Sequence, residues 1–313
     1  MNIYDIAKIT GLSIATVSRV VNKKDNVSQK TKEKVNSVIE KYGYTPNSSA
    51  ICLATKYSRT VAVLVPDSER FFSVAISTIY KKLEEYGYDV LLYCTGNNAE
   101  HIENYFNRAL AKNVDGVIFV GSLFNIDSLI EGKQTPPIVS INGRESNLYY
   151  TVRCDEYAAV KNAVETAYKE GKRSFLFLYN FDTYSARQKI DGFLQAMTEL
   201  GIDEDHYRIK MINNHNSFDV ELENDGIWED IVFCSGDNLA IALVNTLPKG
   251  KTSIVGFDNS TLCNIVSTPV SSIDNNLELM CVTAINILRD LLNNKEAPKT
   301  TEVPSKLVRR SSF

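Results

Sequence analysis

Apolar residues in the first forty-four positions recur at helical spacing in three short blocks. In "IYDIAKIT", Ile3, Ile6 and Ala7 share one face, with Asn2 placed to cap the block and Gly11 to stop it. Leu12 leads to Ser13, a second N-cap, and to a helix whose Val17, Val20 and Val21 point inward. After Ser28 the block "QKTKEKVNSVIEKY" predicts a third helix, with Val35, Val38, Ile39 and Tyr42 as its apolar stripe and Gly43 as its end. From Val61 the texture changes to short apolar runs alternating with amphipathic stretches, the pattern of a parallel α/β sheet. "VAVLV", "DVLLYC", "GVIFVG" and "PIVSI" form one set of strands, with helices within 71–87 and 99–113. The pattern then restarts with "SFLFLY", the helix "SARQKIDGFLQAMTELG", "YRIKMI", "DIVFCS", "NLAIALVNTL" and "SIVGF", followed by a helix near 277–294 and a last strand around "SKLVRR". About 250 residues of such alternation exceed one typical doubly wound unit, which predicts two similar lobes.

Between the two textures lies "YTPNSSAICLATKYSRT". Pro46 disfavours helix at Thr45, and Asn47 or Ser48 can cap a short helix with Ala50, Leu53 and Ala54 on one face. Leu53 then has no core of its own. The expected organisation is a three-helix unit over 1–46, a hinge and linker over 47–59 and a core over 60–313. Within the core, one lobe takes about 60–153 plus 277–304 and the other 154–276 plus 305–313.

Charge sharpens this division. The 313-residue chain carries a net charge of −4, yet residues 1–60 hold ten Lys and Arg against four acids, +6, which leaves 24 basic and 34 acidic residues in the remainder, −10. A small cationic unit suits a polyanion, and the acidic remainder suits a different partner. The six cysteines stand singly, without metal-ligand spacing, and read as small buried hydrophobes; no metal or cofactor is expected. The opening residues lack a secretory leader and no apolar run reaches spanning length, so a cytoplasmic protein without membrane attachment is expected.

The stretch "LSIATVSRVVN" gives the cationic unit its chemistry. Helix, glycine-containing turn and helix is the helix-turn-helix arrangement, whose second helix enters the DNA major groove. Residues 15, 18, 19 and 22 fall on the face opposite Val17 and Val21, presenting Ala, Ser, Arg and Asn. Small residues allow close approach in a groove about 12 Å wide. Ser13, Thr16, Ser18 and Asn22 can bond phosphate oxygens, and Arg19 can bond guanine through both arms of its guanidinium.

The segments "IYDIAKITGLSIATVSRVVN", "VSQKTKEKV" and "YGYTPNSSA" resemble the DNA-binding headpiece and hinge of the LacI/GalR family of bacterial transcription regulators. The likeness continues through "VDGVIFVGS", "SARQKIDGF" and "IVGFDNS" to the C-terminus. It implies that the two lobes form a periplasmic-binding-protein-like core binding a small effector, and that a homodimer reads pseudo-palindromic, double-stranded operator DNA. It also leaves room for a protein co-regulator. By resemblance Ile14, Ala15 and Arg19 would face base edges, with Ser13, Thr16, Ser18 and Asn22 on the backbone and Tyr4 and Tyr44 assisting at phosphates. Residues 47–54 would be a hinge helix ordered on operator DNA, with Asn47, Ala50, Leu53 and Ala54 at the minor groove and Leu53 wedged between base pairs. Ile51 stands where many members have arginine.

Ligands of open α/β sheets gather at the carboxyl ends of strands, which directs attention to Asp237 after "DIVFC" and Asp258 after "SIVGF". Such carboxylates accept bonds from ligand hydroxyls, while Phe71 and Phe72 can flank a ring face, as in a sugar or nucleoside pocket. Each aspartate can equally cap the following helix. Lys189 in "KIDGF" occupies the place where the family usually has an effector-contacting arginine, with Arg187 two residues earlier as a substitute. Asn142 stands where Asp is common, and Gly236 where Asn is usual. The chain contains no nucleophile elbow, P-loop, zinc-protease or dinucleotide motif, and its three histidines fall on separate elements, so no catalytic residue is expected. Two functions fit: a repressor whose operator affinity is set by a sugar-like effector, or a sugar-binding or sugar-modifying protein with an N-terminal adapter.

Overall fold

The structure is a computed structural model that describes residues 1–21, 26–44, 57–66, 70–96, 98–121, 125–212, 226–248 and 250–313, the side chains of 70 and 71 excepted. The chain divides into two compact units, 1–59 and 60–313.

In the first unit, α1 (Ile3–Thr10) starts at Asn2, whose side chain accepts from the amides of Tyr4 and Asp5 while Asp5 returns a bond to the Asn2 amide. This reciprocal pairing satisfies amides that a helix start leaves unbonded. Gly11 ends the helix at φ 65°, a left-handed conformation that glycine adopts without strain. α2 (Ile14–Val21) and α3 (Gln29–Tyr42) follow. Ile6, Val17 and Val35 are fully buried where the three helices meet. Tyr42 departs from the expected stripe: it is 49% exposed, and half-buried Tyr44 packs on the core in its place. Once Gly43 turns the chain, Tyr44 folds back over the helices, a reversal that helical spacing does not foresee.

The second unit holds two six-stranded sheets. The first takes β1 (Thr60–Val65), β2 (Asp89–Cys94), β3 (Gly116–Val120), β4 (Ile138–Ile141), β5 (Tyr150–Cys154) and β11 (Thr300–Val303), in the order β11-β5-β4-β3-β1-β2. All its pairings are parallel. The second takes β6 (Phe175–Tyr179), β7 (Tyr207–Met211), β8 (Ile231–Cys234), β9 (Ser253–Phe257), β10 (Ser271–Asp274) and β12 (Lys306–Val308), in the order β12-β10-β9-β8-β6-β7. There only β12, lying against β10, runs antiparallel.

Helices α4 (Arg70–Glu85), α5 (Ala99–Ala111) and α6 (Ile126–Ile130) belong to the first part of this unit, and α7 (Glu156–Lys169), α8 (Tyr184–Leu200), α9 (Asp237–Thr246) and α10 (Leu262–Ile265) to the second. The chain crosses back at α11 (Leu277–Leu292), which packs on α4, β4 and β5 of the first sheet. Three strands escape the hydrophobic pattern. β5 carries Arg153 in mid-strand, its guanidinium turned to Glu302 on neighbouring β11. β10 is "SSID": Ser271 and Ser272 are fully buried because their hydroxyls donate to Phe313 O and Asp237 Oδ1. β11, "TTEV", lacks an apolar run. α7, by contrast, shows clear helical spacing at Ala159, Val160, Ala163, Val164 and Ala167, all buried.

α7 and α8 approach closely because position 192 is glycine; a Cβ there would lie 2.2 Å from the Tyr157 carbonyl oxygen. Of the described cysteines, Cys154, Cys234, Cys263 and Cys281 are buried as expected, whereas Cys94 is exposed at a strand end. Burial pushes the Cys154, Cys263 and Cys281 thiols up to about 12, so they behave as inert apolar groups. Among the described residues no helix is long and apolar enough to cross a membrane, and no His, Cys, Asp and Glu cluster could hold a metal.

Candidate functional site

Each unit presents one candidate. On α2, burial of Val17 and Val20 turns the opposite face outward: Ile14 is 44% exposed, and Ala15 and Arg19 are exposed too. Ser13 accepts from the Thr16 amide at 3.2 Å, and the two hydroxyls bond each other at 2.9 Å, which fixes the helix start and its outward amides. Thr16 and Ser18 are half-buried on the flanks. Arg19 makes no ion pair among the described residues. Tyr4 is 65% exposed on α1, whereas Tyr44 has its ring against the helical core. Asn22, Asn47, Ala50, Leu53 and Ala54 lie outside the described residues.

In the second unit a cavity of about 210 Å³ lies at the carboxyl ends of the central strands of both sheets. The first sheet's side contributes Phe72 from the start of α4, Gly121 after β3, Asn142 after β4 and Leu277 from the start of α11. The other side contributes Asn180 and Phe181 after β6, Thr183, Ser185 and Lys189 at the head of α8, Ser235 after β8 and Asp258 after β9. Left-handed backbone at Asn142 (φ 57°) and Asp258 (φ 101°) aims the turns that follow β4 and β9. Such conformations are uncommon for residues with a side chain and concentrate at functional sites.

The polar groups form one network. Lys189 is 5% exposed. Its Nζ donates to Ser235 O at 2.9 Å, lies 3.4 Å from Glu156 Oε1 and sits 3.8 Å from the centroid of the Phe257 ring. Glu156 Oε1 also accepts from Ser185 Oγ at 2.7 Å and, across the two halves, from Asn142 Nδ2 at 3.2 Å. Asp258 Oδ1 accepts from Asn275 Nδ2 at 2.8 Å. Burial raises the Asp258 carboxyl from 3.8 to about 7; the Lys189 charge opposes the rise, and Asp237 and Glu156 add to it.

Phe72, Asn142, Lys189 and Asp258 thus meet at one cavity, as the strand-end rule suggests. The Phe71 side chain lies outside the described residues. Asp237 and Arg187 are corrections. Asp237 is the first residue of α9, buried behind the wall, with both oxygens occupied at 2.5 Å by Ser260 N and Ser272 Oγ. It fastens the turn before α10 to β10, so it caps neither a ligand nor its own helix. Arg187 points away from the cavity and clasps Asp182 through two bonds of 2.7 Å, its side chain 66% exposed. Two positions before Lys189 lies on a different face of α8, so it cannot substitute for Lys189 there.

Sequence reasoning missed Asn180, Ser235 and Glu156. The first two follow "SFLFLY" and "DIVFC" directly, and the same strand-end rule, applied without preference for acids, would have found them. Glu156 carries no local signal. Of the histidines, His101 on α5 and His206 before β7 are far apart in the fold, and His215 lies outside the described residues.

Comparison with known proteins bears on both sites. Residues 2–47 match the family described as bacterial regulatory proteins, lacI family, and residues 164–313 match a periplasmic binding protein-like domain. An HTH-type transcriptional regulator of Lachnoclostridium phytofermentans is 33% identical, the alignment covering 100% of this chain and 99% of that protein. Catabolite control protein A of Staphylococcus xylosus is 30% identical over 95% of this chain and 94% of its own. Among solved structures, the Lac repressor dimer bound to operator and the anti-inducer ONPF has a TM-score of 0.88 at 23% identity, covering 100% of this chain and 98% of that one. The transcriptional regulator CelR–cellobiose complex has a TM-score of 0.70 at 21% identity, covering both chains fully. At these identities the structural likenesses speak for the fold alone.

Proposed function

The chain belongs to the lacI family of bacterial regulatory proteins, and from that premise we propose that it is a repressor that binds a pseudo-palindromic operator as a homodimer, under the control of a small polyhydroxylated effector held between the two halves of its core. It is a DNA-binding regulator and not an enzyme, as its relatives are. The observation that carries the proposal is the outward face of α2, where exposed Ile14, Ala15 and Arg19 flank a helix start with no fold-level role of their own. Ile14 and Ala15 offer apolar contact to thymine methyl groups, Arg19 a two-armed bond to guanine, and the Ser13 helix start a phosphate site. Dimerisation doubles this short readout into two half-sites.

The hinge completes the proposal: Leu53 enters the minor groove at the central step, with Asn47, Ala50 and Ala54 beside it, and unstacking there permits a bend. Effector in the cavity shifts the two halves of the core relative to each other and so changes the spacing of the two hinges. Operator and effector affinities are then reciprocally linked.

Selection of duplexes from a random library by the full chain, followed by anisotropy titration of the winners, tests this reading. An inverted repeat should emerge and bind far more tightly than random DNA. A chain lacking residues 1–59 should lose all DNA binding and keep its ligand response. Enrichment of no sequence at any salt concentration would overturn the proposal.

A further inference from the structure

The charges around the cavity do not balance, and the imbalance specifies what can enter. Among the described residues Lys189 is the cation on the wall, and its charge is already engaged by Glu156, the Ser235 carbonyl and the Phe257 ring. Two further carboxylates, Asp258 on the wall and Asp237 behind it, have no cation of their own there. Of the hydroxyls, Ser185 donates to Glu156, Ser235 to Asn180 at 3.5 Å and, behind the wall, Ser272 to Asp237.

Beside Asp258 donors are few. Asp258 takes one bond, from Asn275 to Oδ1, and Oδ2 has no hydrogen-bond partner among the described residues. Beside it Asn275, 0% exposed, spends its amide on Asp258 and leaves its own Oδ1 buried without a partner. Position 236 is glycine, whose missing Cβ would stand 3.8 Å from Asp258 Oδ2, so no side chain there supplies the donor. An acceptor left without a donor is unfavourable, more so when it is charged, until something satisfies it. Burial raises this carboxyl to about 7 despite Lys189, with Asp237 and Glu156 adding to the rise.

We propose that the effector bound in this cavity carries a protonated amine, which pairs with Asp258, and that phosphorylated analogues of the same compound are excluded. The inference rests on the reading of the cavity as an effector site. An ammonium group brings three donors and the missing positive charge to one place, whereas a phosphate would face the Asp258 carboxylate, with Asp237 and Glu156 behind the wall and a lysine that is already paired. A cavity volume of about 210 Å³ accommodates a ligand body of about one ring, and the Phe72 and Phe181 rings suit its apolar face.

The test uses D-glucosamine, D-glucose and D-glucose 6-phosphate as probes in calorimetric titration of the full chain at pH 7, with operator affinity measured in parallel. D-glucosamine should bind at least about tenfold more tightly than D-glucose, and the phosphate most weakly. Asp258→Asn keeps the shape and an Asn275 partner and should erase the amine advantage. Glu156→Gln, which releases Lys189 from its partner, should narrow the gap between phosphate and glucose. Equal affinity for amine and neutral sugar, a preference for the phosphate, or an amine advantage that survives Asp258→Asn would each overturn the inference. Absence of binding by all three probes would overturn it too, with operator selection left standing. If the amine advantage holds and operator affinity does not move, the ligand class stands and the regulatory reading of the cavity fails.

Discussion

Two residues carry most of the proposed functional weight, one through its exposure and the other through its enclosure. Arg19 is exposed on a helix whose other face is buried, so its guanidinium is available to a partner rather than to the fold. Arg19→Ala is expected to weaken binding to the selected operator by about 1–3 kcal/mol and to relax preference at one base pair. Anisotropy against a set of single-base operator variants measures this, and an equal loss on random DNA would assign Arg19 to phosphates. Asp258 is the reverse case, a carboxyl enclosed by Lys189, Glu156 and Asp237, where burial outweighs the lysine and holds it at about 7 against an ordinary 3.8. Because the folded value is the higher one, the unfolded chain loses this proton first as pH rises. The group therefore lowers stability progressively between about pH 4 and 7, and by a constant amount above. Asp258→Asn should gain stability relative to the parent across that window and level off beyond it in denaturant melts. A parent that gains instead would mean that Asp258 folds in its ionised form.

At the scale of elements, legibility followed the source of each element's stability. α1 and α3 could be read to the residue because capping is local: Asn2, Ser28, Gly11 and Gly43 stand where side chains or left-handed backbone must complete a helix end. β1, β3, β6, β8 and β9 could be read because strands buried on both faces are continuous apolar runs. β10 could not, since its buried serines are tolerated only through partners that arrive from distant parts of the chain, and β11 could not, since it has no apolar run. Tyr44 takes the place of Tyr42 on the core because Gly43 turns the chain back over the helices. The α7–α8 contact makes a sharp case: its one requirement is the absence of a side chain at 192. Gly192→Ala should separate the helices and cost about 1–3 kcal/mol, read as a lower midpoint in urea with an unchanged slope. Stability equal to the parent would show that α8 can shift without loss.

At the scale of the whole molecule, the proposed regulator works by coupling, and coupling is measurable at its proposed joint. Leu53→Ala is expected to bind the operator more weakly and to bend it less, since a methyl cannot hold two base pairs apart. Mobility of circularly permuted fragments reads the bend directly, and an unchanged bend would remove the wedge from the mechanism. Saturating effector should change operator affinity by the same factor by which operator changes effector affinity.

The cationic opening unit, its three helices and the outward face of the second were already present in residue order, because caps, helical spacing and charge act over a few positions. The same holds for the alternation that announces two sheets and, through the strand-end rule, for Asp258 as a candidate, whereas Lys189 stood out only by resemblance to the family. Folding in three dimensions settled the rest: Glu156 behind Lys189, Asn142 reaching across to it, Arg187 turned outward to Asp182, and Asp237 absorbed into the scaffold. Whether a polar side chain meets ligand or protein depends on which partners reach it first, and those partners come from strands and helices far away along the chain.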